Sequence, residues 1–495
     1  MACTTILVGR RASYDGSTMI ARNDDSGSGV FTAKRFTVIE PHEQERHYRS
    51  VLSHVEIELP ERPLRYTAMP NGLLKDGIWA AAGVNSENVS MTATETITSN
   101  ERVLSADPLV EYVPAGVDRP EKIGGIGEED MVYITLPYIH SAREGVLRLG
   151  KLLEQYGTYE MNGIAFSDVH EIWWLETIGG HHWIAKRVPD EAYVVMPNQL
   201  GIDSFDLEDA FGEKKNHLCS SDLREFIREN HLKLSFEEGF NPRDAFGSHS
   251  DADHVYNTPR AWFIERYLNP NSFVWDGEDA DYRPDSDDIP WSMVPEKKLT
   301  VEDVKYLLSS HFQGTPYDCY GRYGDASERG KFRPIGINRN SFLSLTQLRP
   351  DLPREIQAIE WIAFGSNVFN AFVPLYANVD RAPEYFSNTA GEVTTENFYW
   401  ANRLIGALAD SQFNHCSSHI ERYQSAVAVA GYRVLREYDE KLRAEGLSGE
   451  AAVKLLEEAN EKIAGMTKEK TTDVLGKVLY EVSCLMKNGF SRSDA

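Results

Sequence analysis

The sequence predicts an α+β fold with mainly antiparallel sheets. Three observations carry this. Short strand-like segments cluster between residues 4 and 198, the last hundred residues read as helices, and the chain opens on a hairpin pattern. In that opening, "TTILVG" at 4–9 is followed by a turn-like "SYDGS" at 13–17 and by "TMIAR" at 18–22, which is strand, turn and strand. The first strand thus begins one residue after Cys3.

Further strands are expected at 77–85, 89–95, 163–168, 171–177, 182–188 and 192–198. Between them, "IHSAREGVLRLGKLLEQY" at 139–156 repeats its apolar residues at three and four and reads as a helix. Another helix is expected after "LTVED" at 299–303, where Thr300 and Asp303 resemble a capping box. The acidic "DGEDADYRPDSDD" at 276–288 reads as a solvated loop. After about residue 397 the chain reads as four helices: "FYWANRLIGALADSQ", "SAVAVAGYRVLREYDEKLRAEG", "GEAAVKLLEEANEKIAG" and "TTDVLGKVLYEVSCLMKNG". No repeat or low-complexity segment interrupts the pattern.

With 495 residues, 41% of them hydrophobic and 26% charged, the chain has the composition of an ordinary globular protein able to bury a large core. A formal charge of −25 repels phosphate backbones and anionic membranes, so neither is an expected partner. The five cysteines (Cys3, Cys219, Cys319, Cys416, Cys484) are scattered without a CxxC pair or metal-ligand spacing, which fits a reducing compartment. With no basic n-region, a short apolar run at the start and no stretch long enough to span a bilayer, a cytoplasmic location is expected.

Cys3 is the residue that asks for an explanation. Free cysteine is commonly a small buried hydrophobe, and that is the plain reading of a cysteine at the start of a strand. A thiol nucleophile, by contrast, needs a base, a lowered pKa and an oxyanion site. A cysteine that becomes residue one acquires its own α-amine, with a pKa of roughly 7.7–8.0, as a built-in base. Loss of Met1 is expected before a small Ala2, and a second cleavage at Ala2–Cys3 would complete the maturation.

"CTTILVGRRASYDGSTMIARNDDSG" (3–27) resembles the amino terminus of the PepD-type dipeptidase A family, cysteine members of the N-terminal-nucleophile (Ntn) hydrolases related to penicillin V acylases and bile salt hydrolases. The resemblance continues in order through "GVNSENVSMTATETI" (83–97), "GHHWIAKRVPDEAYVVMPNQLGI" (180–202), "YNTPRAW" (256–262), "GTPYD" (314–318), "RPIGINR" (333–339) and "EWIAFGSNVFNAFVPLY" (360–376). It implies a four-layer αββα sandwich whose central strand begins with the nucleophile. It also implies a short propeptide at 1–2, a hydrolase domain at 3–396, a helical region at 397–495 and no cofactor. Small dipeptides are the expected substrates and a homo-oligomer the expected assembly.

Carried over by residue, the resemblance gives Arg22 and Asp25 from "RNDD", Asn198 from "MPNQ" and Arg260 from "TPR". Asp25 is expected to accept a hydrogen bond from the α-ammonium or thiol of Cys3, and Arg22 to favour thiolate over thiol. Asn198 is expected to donate toward an oxyanion, a contribution of about 3 kcal/mol in such sites, and Arg260 to hold the others in place. The competing readings are a surface ion pair for Arg22 and Asp25 and a turn residue for Asn198 after Pro197. Asp24 reads as a surface residue.

One position departs from the acylase relatives. Where they carry an oxyanion asparagine, this chain has Glu95, and Asn85 stands too early in the strand to replace it. Glu95 is therefore expected to bind the substrate's α-ammonium, with a structural carboxylate paired to Arg22 or Arg260 as the competing reading. "HSDADH" at 249–254 matches no common zinc or calcium loop, His181 and His182 read as structural, and Trp173, Trp174 and Trp183 as core. A cysteine dipeptidase is the expected activity. An amidase on linear N-acyl amino acids and a non-catalytic scaffold are the alternatives.

Overall fold

The computed structural model of the protein describes residues 2–27, 29–75, 77–236, 238–322 and 324–486. Met1, half of the expected propeptide, lies outside them, and Ala2 opens the first strand. The expected hairpin forms: β1 (Ala2–Val8) and β2 (Thr18–Asp25) pair antiparallel, with Cys3 opposite Asp24 and Thr5 opposite Arg22.

The strands expected downstream form as β3 (Ala82–Val84), β4 (Ser90–Thr96), β5 (Asn162–Ser167), β6 (Ile172–Thr177), β7 (Trp183–Arg187) and β8 (Tyr193–Met196). Short β9 (His217–Cys219) and β10 (Ser292–Met293) follow, and then β11 (Asn340–Leu348), β12 (Ala358–Phe364) and β13 (Val373–Tyr376). Among the described residues these make two antiparallel sheets. One has seven strands in the order β10-β8-β1-β2-β11-β12-β13, the other six in the order β9-β7-β6-β5-β4-β3. β1 and β2 are therefore central, and β1 and β2 lie against β4 and β5 of the other sheet.

Alternation along β1 sorts its side chains between two cores. Leu7, with Ile20 of β2, packs between the sheets with Ala165, Trp174 and Ile184, whereas Ile6 and Val8 join the core beneath the helices. Cys3 and Thr5 share the parity of Leu7, which is what aims the thiol between the sheets.

Helices cover both outer faces. α1 (Glu128–Thr135) lies on β4 and α2 (Ala142–Tyr156) on β5, β6 and β7. On the opposite face, α3 (Thr258–Leu268) contacts β8, and α4 (Val301–Leu308) lies behind β1 and β2. The expected capping box at α4 is present: Asp303 N–H donates to Thr300 Oγ1 at 3.1 Å and Thr300 N–H to Asp303 Oδ2 at 3.0 Å.

Among the described residues the carboxy-terminal region folds as three α-helices, not four: α5 (Phe398–Ala409), α6 (Phe413–Glu445) and α7 (Gly449–Cys484). The two last expected segments fuse, because no proline separates them and Thr467 and Thr471 are buried on the packed side of one continuous helix. Residues 487–489 of the last expected helix lie outside the described residues. Val427, Leu435 and Ile463 from these helices share one apolar cluster with Ile359, Trp361 and Leu375. The acidic 276–288 loop is largely exposed as expected. Trp173, Trp174 and Trp183 are core residues, and His181 and His182 both hold Asp107, at 3.0 and 2.7 Å. Among the described residues no helix is long and apolar enough to cross a membrane.

Candidate active site

The Cys3 thiol is fully buried, and Arg22 Nη2 lies 3.1 Å from its sulfur. Cross-strand register explains the meeting: Arg22 sits opposite Thr5 on the face that carries Cys3. The guanidinium is held from the other side by Glu128 Oε1 at 2.7 Å, by the carbonyl of Ala93 and by that of Ala81 at 3.4 Å. Burial works against its charge, but the Cys3 sulfur, Glu128 and Asp24 hold Arg22 above its ordinary pKa. The surface-pair reading of Arg22 does not survive, since the side chain is wholly buried.

Asp24 also proves buried, which corrects its reading as a surface residue. Its Oδ2 lies 3.1 Å from Lys34 Nζ and its Oδ1 3.6 Å from Arg22 Nη2. The two cations offset the burial and hold its carboxyl below the usual range. Asp25 points to the opposite face of the strand. Its carboxylate is engaged by Arg333 and by Asn340 Nδ2 at 2.9 Å, so it stands away from Arg22. The Cys3 backbone N–H goes instead to Asn198 Oδ1, at 3.2 Å.

Asn198 follows the end of β8, the strand beside β1. Its Oδ1 also receives Arg260 Nη2 at 2.8 Å, while its Nδ2 donates to the Thr96 carbonyl at 2.9 Å. Arg260, on the first turn of α3, gathers the group. Nη1 donates to the Cys3 carbonyl and to Thr4 Oγ1, Nη2 also to Asn257 Oδ1 at 2.7 Å, and Nε to the Tyr256 carbonyl at 2.8 Å. Burial and the neighbouring Arg333 draw its pKa down.

Glu95 reaches the site through a β-bulge. Along β4, Met91 and Ala93 face the helices of the outer layer, and a register shift between Ala93 and Glu95 puts Glu95 opposite Gly163. The extra residue turns the Glu95 side chain inward. Thr5 Oγ1 donates to Glu95 Oε2 at 2.8 Å, while Oε1 is buried without a hydrogen-bond partner. Burial pushes the Glu95 carboxyl up to about 8 against the pull of Arg260 and Arg22. Asn85 is spent elsewhere, donating to the carbonyls of Leu136 and Ile139 at 2.9 and 2.8 Å.

Burial also dominates at the nucleophile. It pushes the Cys3 thiol up to about 12, against Arg22, with Glu95, Asp24 and Glu128 adding to the rise. With Ala2 still attached, the resting group is thus a thiol, and its proton must be removed as it attacks. Glu128 and Lys34 are the members of this buried network that sequence reasoning missed, for their partners lie 106 and 10 residues away.

A cleft of about 360 Å³ opens beside Asn198, lined by Thr98, Glu101, Asp253, Tyr256 and Asn257. A larger cavity, about 950 Å³, lies elsewhere, between α4 and α6. At 249–254, Asp253 accepts from Ser248 and Asn257, and His254 bonds Asp287 at 2.8 Å. Among the described residues no three His, Cys, Asp or Glu side chains converge on a metal-sized site.

Comparison with known proteins adds a family. Residues 2–426 match the model of peptidase family C69. A protein of Bifidobacterium longum (strain NCC 2705) called "Dipeptidase" is 57% identical over 532 aligned positions covering all of both chains. "Probable dipeptidase A" of Streptococcus pyogenes serotype M3 is 53% identical, again over all of both chains. "Dipeptidase A" of Lactobacillus helveticus is 44% identical over 98% of this chain and 97% of its own.

Proposed function

This chain belongs to peptidase family C69 and is a cysteine-type dipeptidase, and we propose that it works through Cys3 as an amino-terminal nucleophile freed by loss of residues 1–2. The observation that carries this reading is the double hold on Cys3: Arg22 at 3.1 Å from its sulfur and Asn198 Oδ1 at 3.2 Å from its backbone nitrogen. Once that nitrogen is an α-amine, it has an acceptor already aimed at it. The facing antiparallel sheets with helices on both outer sides support the Ntn sandwich as the fold.

In the proposed course the free α-amine takes the thiol proton as sulfur attacks the scissile carbonyl, with Arg22 stabilising the charge gathering on sulfur. The carbonyl oxygen becomes an oxyanion toward which Asn198 donates through Nδ2, the atom that meets the Thr96 carbonyl here, together with a backbone N–H. The tetrahedral species collapses when the C–N bond breaks, the ammonium of Cys3 giving its proton to the leaving amino acid. Water, deprotonated by the same amine, then cleaves the thioester and restores the thiol. Arg260 is a positioning residue for the Cys3 main chain and Asn198. No cofactor takes part, small dipeptides are the partners, and a cytoplasmic homo-oligomer is the setting of this reading.

The amine must be neutral to act as base. kcat/KM is therefore expected to rise from pH 5 toward about 8, the range of a free α-amine. Glu95 ionises over the same limb, since burial raises it to about 8. A profile flat from pH 5 to 9 contradicts the scheme.

Glu95 is the proposed reader of the substrate's α-ammonium, through its unpartnered buried oxygen. An arriving ammonium supplies the positive charge that lowers the carboxyl's pKa, so binding and ionisation reinforce each other. Glu95→Gln is expected to lose about 1.5–3 kcal/mol, ten- to a hundredfold in kcat/KM, on free dipeptides and far less on N-acetylated ones. Equal losses on both substrates would return Glu95 to a structural role. A requirement for the free amino group also separates dipeptidase from acylase chemistry, and Ala2 retained on an inactive purified protein would mark a scaffold.

A further inference from the structure

A dipeptide carries a charge at each end, and its carboxylate also needs a partner. We propose that Arg333 binds the α-carboxylate of the substrate's second residue, an inference that rests on the dipeptidase reading above. Arg333 Nη2 is fixed by Asp25, which pairs with Ala2 in the β1–β2 register, one position from Cys3. The side chain is 8% exposed, yet its Nε and Nη1 make no hydrogen bond. Of the buried arginine donors among the described residues that lack a partner, this Nη1 is the one terminal nitrogen, the rest being Nε atoms. Arg22 and Arg260 have every terminal nitrogen engaged.

Charge around Arg333 points the same way. Its guanidinium lies 5.2 Å from the centroid of the Tyr256 ring and that of Arg260 5.3 Å from the same ring, while Arg339 Nη2 donates to the Tyr256 hydroxyl at 2.8 Å. Among the described residues the one ion pair made by any of these three guanidiniums is that of Arg333 with Asp25. The cluster therefore has room for a further anion. Tyr256 also lines the 360 Å³ cleft beside Asn198, which brings the cluster to the wall of the space a substrate would enter. Asp25, which holds Arg333, lies on the face of β2 opposite Arg22 and one register position beyond Cys3, at the end of β1 where Glu95 approaches from between the sheets.

The test compares a free dipeptide with its C-terminal amide as substrates of matured wild type, Arg333→Met and Arg333→Lys. Wild type is expected to prefer the free acid by about a hundredfold or more in kcat/KM. Arg333→Met is expected to lose about a hundredfold on the acid, chiefly as a higher KM, and little on the amide, so that the preference collapses. Arg333→Lys is expected to fall between the two and carries the same comparison if the methionine variant does not fold. Wild type cleaving acid and amide within about threefold, or either variant losing equally on both, overturns the role of Arg333 and leaves the dipeptidase reading standing. Wild type that cleaves neither removes the dipeptidase reading itself.

Discussion

Cys3→Ala is expected to lower turnover of free dipeptides by at least about 10⁴-fold while leaving the fold intact. The two halves of that expectation have separate grounds. The thiol is the atom that forms the acyl-enzyme, so its loss removes the covalent route altogether. Alanine is smaller than cysteine, and its methyl group fits wherever the Cys3 Cβ already sits, so the fully buried position is left underfilled and free of clash. If Cys3 drives cleavage of its own preceding bond, the variant should also keep Ala2, which intact mass reads directly. Residual turnover within tenfold of wild type would assign the nucleophile to another residue.

Arg22→Met carries the second large effect, and here stability and activity both fall. The guanidinium serves the Cys3 sulfur, Glu128, Asp24 and two backbone carbonyls from a position with no solvent access. Methionine keeps much of the volume and none of the donors, stranding the buried Glu128 carboxylate and leaving Asp24 to Lys34 alone. Breaking a buried charge network from one side costs roughly 3–5 kcal/mol, which a denaturant or thermal midpoint will register. Arg22→Lys keeps a charge but cannot serve the sulfur, Glu128 and the Ala93 carbonyl together, so it should recover part of the stability and little of the activity. A stable Arg22→Met with near-normal kcat would show that thiol activation does not depend on this cation.

The opening hairpin was legible because a polar turn separates two apolar runs, and register then brings Arg22 opposite Thr5 without further help. Strands β11 to β13 left no such signal. They are buried along their whole length, so the polar-apolar alternation that marks a half-exposed strand is absent. Asp24 misled for a related reason: adjacent acids look solvated, and nothing local reveals that Lys34 and Arg22 will close over one of them while Arg333, 308 residues on, takes the other. The inward turn of Glu95 depends on one bulged residue in β4, a feature that period-2 counting carries past in the wrong phase. Residues at the site that come from distant segments, Glu128 and Arg333 above all, become visible once the sheets are assembled.

If Cys3 acts with its own α-amine, the fully active protein cannot retain residues 1–2, and intact-mass spectrometry of the purified protein reads this in one step. The expected mass lacks both Met1 and Ala2, with the chain beginning at Cys3. A fully active protein that still begins at Ala2 would contradict it, because the nitrogen held by Asn198 would then be an amide with no basic lone pair to take the thiol proton.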